Sequence, residues 1–157
     1  MERVPLTKQG KDRLQEELNH MKKVSRPAIV QAIEEARAHG DLKENAEYHA
    51  AKEEQGKLEA KIRMFEDQLS RAQVIDASQL STEKVVFGLF VKVFDALSEE
   101  EKVYQIVGDL ESDIEQGKLS VLSPIAKSLI GKEEGDVVSV KTPGGVRELE
   151  ILEIRNT

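Results

Sequence analysis

Cysteine is absent from this 157-residue chain, tryptophan is absent too, and aromatic residues together make up 4% of it. Without cysteine there is no disulfide framework, no thiolate metal centre and no cysteine nucleophile. That fits a reducing compartment, and a cytoplasmic location is the expectation. No stretch approaches 18 uncharged apolar residues, which excludes a helical membrane span. The opening residues Met1, Glu2, Arg3, Val4 and Pro5 lack the apolar core of a signal sequence. A hydrophobic fraction of 39% supports only a modest core, and the length suits one domain or two small ones.

Excess positive charge is missing as well. The net charge is -7, and it is unevenly spread: residues 1–76 carry 14 Lys/Arg against 15 Asp/Glu, and the remainder carries 9 against 15. Broad electrostatic wrapping of a nucleic acid is therefore disfavoured. The first half can still approach a phosphate-rich site without strong repulsion, whereas the second is plainly acidic.

What the chain does have is helical periodicity on both sides of residues 37–48. Leu14, Leu18 and Met21 form an apolar stripe at spacings of four and three, and Ile29, Ile33 and Ala36 continue one face. Thr7 is a candidate cap for the first helix. Ser25 and Pro27 interrupt the stripe, and the missing proline amide predicts a kink or restart there. Gly40 offers a left-handed stop. Beyond it, Ala51, Gln55, Leu58, Ile62, Phe65, Leu69 and Ala72 alternate spacings of four and three, the seam of a coiled coil. Either helix alone is marginal in water. Pairing the two stripes within one chain gives an antiparallel hairpin over residues 1–76, with its turn near residues 41–44.

After Val74 the texture changes. Residues 76–83 form a linker, and short strands are expected over residues 85–88, 91–94, 103–107 and 119–122, with a turn at 98–101. Ser123 and Pro124 open a short helix as cap and first-turn proline. Residues 137–140 and 149–154 flank Thr142, Pro143, Gly144 and Gly145 as a hairpin. Residues 77–157 thus make a small domain with a curved antiparallel sheet, and the fold class is α+β.

The turn carries the chemistry. Asp41 and Glu44 are three apart and face the same way if a helix starts there. Two carboxylates hold Mg²⁺ weakly through oxygen and leave positions for water or phosphate. They are too few to complete a site without ligands from a partner. The same stretch also fits a capping box with Asp41 at N-cap and Glu44 at N3, and the two roles are compatible. Arg37 and Lys52 lie near the turn on opposite arms, as phosphate contacts or as solvent-facing charges balancing nearby glutamates. Tyr48 is a stacking group or a seam residue. Nothing in the spacing of His20, His39 and His49 makes a zinc site, and Gly144 with Gly145 lacks the lysine and helix of a phosphate loop. Ser123 fits a cap better than a nucleophile.

The run Gly40, Asp41, Leu42, Lys43, Glu44, Asn45, Ala46, Glu47, Tyr48, His49, Ala50, Ala51, Lys52 resembles the tip of bacterial GreA-type transcript cleavage factors. Pro5, Leu6 and Thr7, residues 72–76, 104–108 and 123–132, and the turn at 142–145 resemble the same family in order. The likeness spans essentially the whole chain. It implies a coiled-coil hairpin followed by a domain similar to the FKBP fold, without implying prolyl isomerisation. It also implies docking of that domain beside the secondary channel of bacterial RNA polymerase, with Ser123, Pro124 and Ile125 as docking candidates. By resemblance, Asp41 and Glu44 help retain a second Mg²⁺ shared with the polymerase and orient water against backtracked RNA near its 3′ end. Arg37, Lys52 and Tyr48 are the RNA-facing candidates. The factor is then expected to be a monomer that associates with no membrane and is inert by itself. Two other readings stay open at this stage: a non-catalytic factor that occupies the channel, and a coiled-coil chaperone.

Overall fold

The computed structural model describes residues 2–40 and 44–157. They fall into two compact units, one built from Met1–Lys11 with Ala72–Thr157 and the other from Asp12–Arg71. The sequence pattern places the joint at residue 76; contacts instead assign both ends of the helical segment to the sheet-containing unit. The cause is a parallel two-stranded ribbon. Strand β1 (Val4–Thr7) pairs with β2 (Ala72–Ile75) in the register Val4 to Ala72 through Thr7 to Ile75.

In the helical unit, α1 (Lys8–His20) runs into a π-helical segment, Met21–Ser25, and on into α2 (Arg26–Arg37). The Arg26 amide donates to the carbonyl of Met21, five residues back. The sequence predicts a kink or restart near Pro27, and the helix absorbs the proline by widening one turn before it. Pro27 has no amide to give and its ring crowds the preceding carbonyls, so a wide turn is a cheap accommodation. The returning helix α3 (Ala46–Ser70) carries the expected seam. Ile62 and Phe65 are buried, and Ala51, Gln55, Leu58 and Leu69 are half-buried. On the other arm Leu14, Leu18, Met21 and Ala36 are buried. Each large apolar side chain removed from water contributes roughly 1.5–3 kcal/mol, which is why the pair is stable where a lone helix is not. Ion pairs flank the seam: Arg26 grips Glu59 bidentately at 2.7 and 2.8 Å, Lys22 meets Glu66 at 3.5 Å and Lys61 meets Glu17 at 3.3 Å.

The other unit centres on a five-stranded sheet in the order β5-β4-β3-β7-β6, where β3 is Phe90–Asp95, β4 Glu100–Val107, β5 Lys118–Ser120, β6 Val137–Thr142 and β7 Gly145–Arg155. The sheet is mixed rather than wholly antiparallel, because β5 runs parallel to β4. A short helix, α4 (Pro124–Leu129), covers its inner face. Val91, Val93, Ile106, Leu119, Ala126, Leu129, Val138, Val140, Leu149, Ile151 and Ile154 form the core. Residues 85–88 are not the strand their β-branched composition predicts. Val85 exchanges backbone hydrogen bonds with Gly131 and Lys132, and the chain then turns at Gly88, whose φ is +92°. The predicted strand at 119–122 is confined to Lys118–Ser120 because the chain turns at residues 121–122 to enter α4. The turn after β3 falls at residues 96–99, so Glu100 and Glu101 belong to β4.

One polar contact holds the N-terminal segment to this unit. Thr7 Oγ1 accepts the Gly10 amide at 3.0 Å, the bond of an N-cap to N3. In a capping box the N3 residue is a glutamate that accepts the N-cap amide in return. Gly10 cannot do so, and Glu111 takes that place from 104 residues away: it accepts the Thr7 amide at 3.1 Å and the Thr7 hydroxyl. It also accepts the Gly108 amide at 2.8 Å, and its side chain is almost fully buried.

Candidate functional site

The turn between α2 and α3 holds the candidate site. Asp41, with Leu42 and Lys43, lies outside the described residues, so Glu44 is the described half of the predicted pair. Helix α2 ends at Arg37, and Gly40 adopts φ +121°, a conformation open to glycine. Helix α3 does not begin with a cap at Asp41 and Glu44 at N3. Its N-cap is Asn45, whose Oδ1 accepts the Tyr48 amide at 3.0 Å and whose carbonyl accepts the His49 amide at 3.1 Å. The amide nitrogen of Asn45 reaches back across the turn and donates to the Ala36 carbonyl at the end of α2. One side chain thereby satisfies an orphan donor of α3 and adds a second bond to an α2 carbonyl that also accepts the His39 amide at 3.1 Å.

Glu44 stands immediately before this cap. It is exposed, and it makes no hydrogen bond or ion pair among the described residues. Together with His39, Asn45, Ala46 and Glu47 it lines an open concavity at this end of the hairpin. Arg37 is exposed on the last turn of α2, and Lys52 is exposed on α3 with its ammonium donating to Gln55 at 3.2 Å. Tyr48 is half-buried, its ring edge-on to His49 with centroids 5.6 Å apart. Among the described residues the Glu44 carboxylate is thus without a partner, and basic side chains are exposed on both arms.

Among the described residues no three His, Asp or Glu side chains gather closely enough to hold a metal ion. The donor set at the turn is carboxylate oxygen, which suits a hard cation such as Mg²⁺ at one or two of its positions and leaves the rest to other ligands.

The second candidate region lies in the other unit. Ser123 caps α4 by accepting the Ala126 amide at 3.2 Å, Pro124 is exposed at the first helical position, and Ile125 is half-buried against the core. Leu122 beside them is 62% exposed, more than a core role allows. Sequence pattern allows Asn45 to orient water or the turn but gives the cap to Asp41, whereas the helix is capped by Asn45. Its signal was present, since asparagine three residues before a backbone donor at Tyr48 is itself a good N-cap, but Asp41 and Glu44 offered a competing box four residues earlier.

Two family matches divide the chain between them. Residues 4–74 match the N-terminal domain described as "Transcription elongation factor, N-terminal", and residues 80–156 match "Transcription elongation factor, GreA/GreB, C-term". The chain is 57% identical over 154 residues to the transcription elongation factor GreA of Phenylobacterium zucineum, covering 98% of each chain. It is 57% identical over 156 residues to that of Alkalilimnicola ehrlichii, covering 99% of each. Among solved structures, GreA factor homolog 1 (Gfh1) of Thermus thermophilus is 33% identical, with 98% of this chain and 99% of that one covered and a TM-score of 0.45. The chain belongs to the GreA/GreB family of transcription elongation factors.

Proposed function

We propose that this elongation factor binds bacterial RNA polymerase, enters its secondary channel with the helical hairpin, and stimulates the polymerase's own cleavage of backtracked RNA. The observation that carries the reading is the exposed carboxylate of Glu44 at the hairpin's turn, which forms no ion pair among the described residues. Asp41, three residues earlier, is the second carboxylate of the pair. A carboxylate kept in water by its own protein is available to a cation whose remaining ligands lie elsewhere.

Asp41 and Glu44 would hold a Mg²⁺ shared with the polymerase, and an ion there supplies stabilisation of the attacking and leaving oxygens of the displaced phosphodiester. The chain's own part is to place these two carboxylates and to orient the attacking water by hydrogen bonding. Arg37 and Lys52 contact RNA phosphates, and Tyr48 offers its ring to the 3′-terminal nucleotides. Cleavage leaves a new 3′-hydroxyl in register for synthesis. The factor completes another protein's active centre, so it is inert alone. It works as a monomer, because the apolar seam is consumed within the chain by pairing α2 with α3. Ser123, Pro124 and Ile125, beside the exposed Leu122, contribute to docking.

Arrested elongation complexes mixed with the protein and Mg²⁺ should shorten their RNA. Asp41→Asn with Glu44→Gln should abolish the stimulation while polymerase binding persists. Undiminished cleavage by that double variant refutes the assignment.

A further inference from the structure

Among the residues most favoured at N-caps, aspartate, serine and threonine would accept the Tyr48 amide as well as Asn45 does. The residue's second bond is what distinguishes it. The Asn45 side-chain amide donates to Ala36 O, nine residues back in the last turn of α2, where it joins the His39 amide (3.1 Å) on the same carbonyl and so ties the start of α3 to the end of α2. Aspartate has no donor to offer, and a serine or threonine hydroxyl is too short to serve both helix ends at once. The acceptor is well placed, since Ala36 is one of the buried residues of the seam. The φ and ψ of Asn45, -87° and 95°, lie outside the helical region, so this residue sets the direction in which the chain leaves α3 towards Glu44.

Resting on the function proposed above, we infer that Asn45 is a positioning residue for Glu44. Its side chain pins both helix ends on either side of the turn, so that the neighbouring carboxylate is presented in one place while remaining free of partners. The clamp spends its hydrogen bonds on backbone only and leaves every carboxylate oxygen of Glu44 available. A carboxylate on a loop that pivots freely would reach a shared cation only part of the time. A misplacement of about 1 Å at a reacting centre costs on the order of 10²-fold in rate.

The test uses the full-length protein with backtracked elongation complexes. Both the maximal cleavage rate and the concentration giving half-maximal stimulation are measured, alongside the unfolding temperature. Asn45→Asp keeps the size of the side chain and the cap, but sets an oxygen against the Ala36 carbonyl. Asn45→Ser keeps the cap without added charge and cannot span the turn. Both should lose about 10²-fold in maximal rate, with half-maximal concentration and unfolding temperature near wild type. Glu44→Gln serves as the control for the underlying reading. If Glu44→Gln is inactive and the two Asn45 variants cleave at the wild-type rate, the clamp has no positioning role. If their loss appears as weakened polymerase binding in place of a lowered maximal rate, the role is structural and the inference fails. If Glu44→Gln itself retains full activity, the proposed site is overturned, and the inference with it.

Discussion

Gly10→Ala is a substitution whose expected sign is reversed by one distant side chain. Within a helix, replacing glycine by alanine ordinarily stabilises by roughly 0.8–1 kcal/mol. At this position a Cβ would sit 1.6 Å from Glu111 Oε1, 2.1 Å from its Cδ and 2.4 Å from its Cγ. The carboxylate must therefore leave. It is 2% exposed, and its departure strands the Thr7 amide, the Thr7 hydroxyl and the Gly108 amide. A buried donor left unmade costs about 1–3 kcal/mol. With two of the three stranded, the loss is about 2–6 kcal/mol, and the helix-propensity gain offsets only about 1 of it. We expect a net destabilisation of about 3 kcal/mol. The decisive experiment is a double-mutant cycle with Glu111→Ala. Once the carboxylate is gone, Gly10→Ala should become neutral or mildly stabilising, although Glu111→Ala alone is costly. Urea unfolding followed by tyrosine fluorescence in a Tyr48→Phe background reads this directly, because the chain has two tyrosines and the remaining one, Tyr104, is buried in the sheet-containing unit. Equal penalties for Gly10→Ala in both backgrounds would refute the reasoning.

Ile62, 1% exposed on the seam of α3, should cost about 2–5 kcal/mol when cut to alanine, measured by loss of helical circular dichroism in urea. The hydrogen-bonded Arg26 guanidinium holds the Glu59 carboxyl below its ordinary value. The pair's contribution is therefore present in full above about pH 4.5 and lost as pH falls through the lower folded value. The melting-temperature gap between wild type and Arg26→Ala should accordingly close in acid, and a gap that widens below pH 4 would contradict the sign. Ser123→Ala removes the cap of α4 and should destabilise by about 1 kcal/mol, seen as a lower urea midpoint for the sheet-containing unit.

The parts of the fold legible in the sequence are those decided by neighbours along the chain. The seam of α3 announces itself through Leu58, Ile62, Phe65 and Leu69, because one helix face repeats every three or four residues whatever lies opposite. The Thr7 and Ser123 caps are likewise local, as is the hairpin from β6 to β7 around Thr142 and Gly145. The misreadings share the opposite cause. Val85, Val86 and Phe87 have strand composition, but Val85 bonds to residues just beyond α4, and such tertiary pairing overrides propensity. The parallel pairing of β1 with β2 joins residues 68 positions apart, from Val4 to Ala72, through strands of only four residues. Glu111 reads as one more surface acid in an acidic half, since two of its donors, the Thr7 amide and hydroxyl, lie 104 residues away. At the turn, Asn45 is the cap of α3, and its second bond goes to Ala36 O, an acceptor that no pattern within α3 can reveal.

The same distinction explains how a chain with so many charges keeps those near its turn out of ion pairs among the described residues. Between the arms of the hairpin, cations are matched to acids: Arg26 to Glu59, Lys22 to Glu66, Lys61 to Glu17. These pairs occupy the flanks of the apolar seam, where they orient one helix against the other. Towards the turn the matching stops. Among the described residues, Arg37, Glu44 and Lys52 enter no ion pair, and the turn is held by backbone hydrogen bonds to the uncharged side chain of Asn45. Had the turn been fixed by a salt bridge to Glu44, the carboxylate would be neutralised by its own protein and of little use to a cation. Holding it with an amide separates the two tasks: a neutral residue supplies the geometry, and the charge beside it stays unspent for a partner.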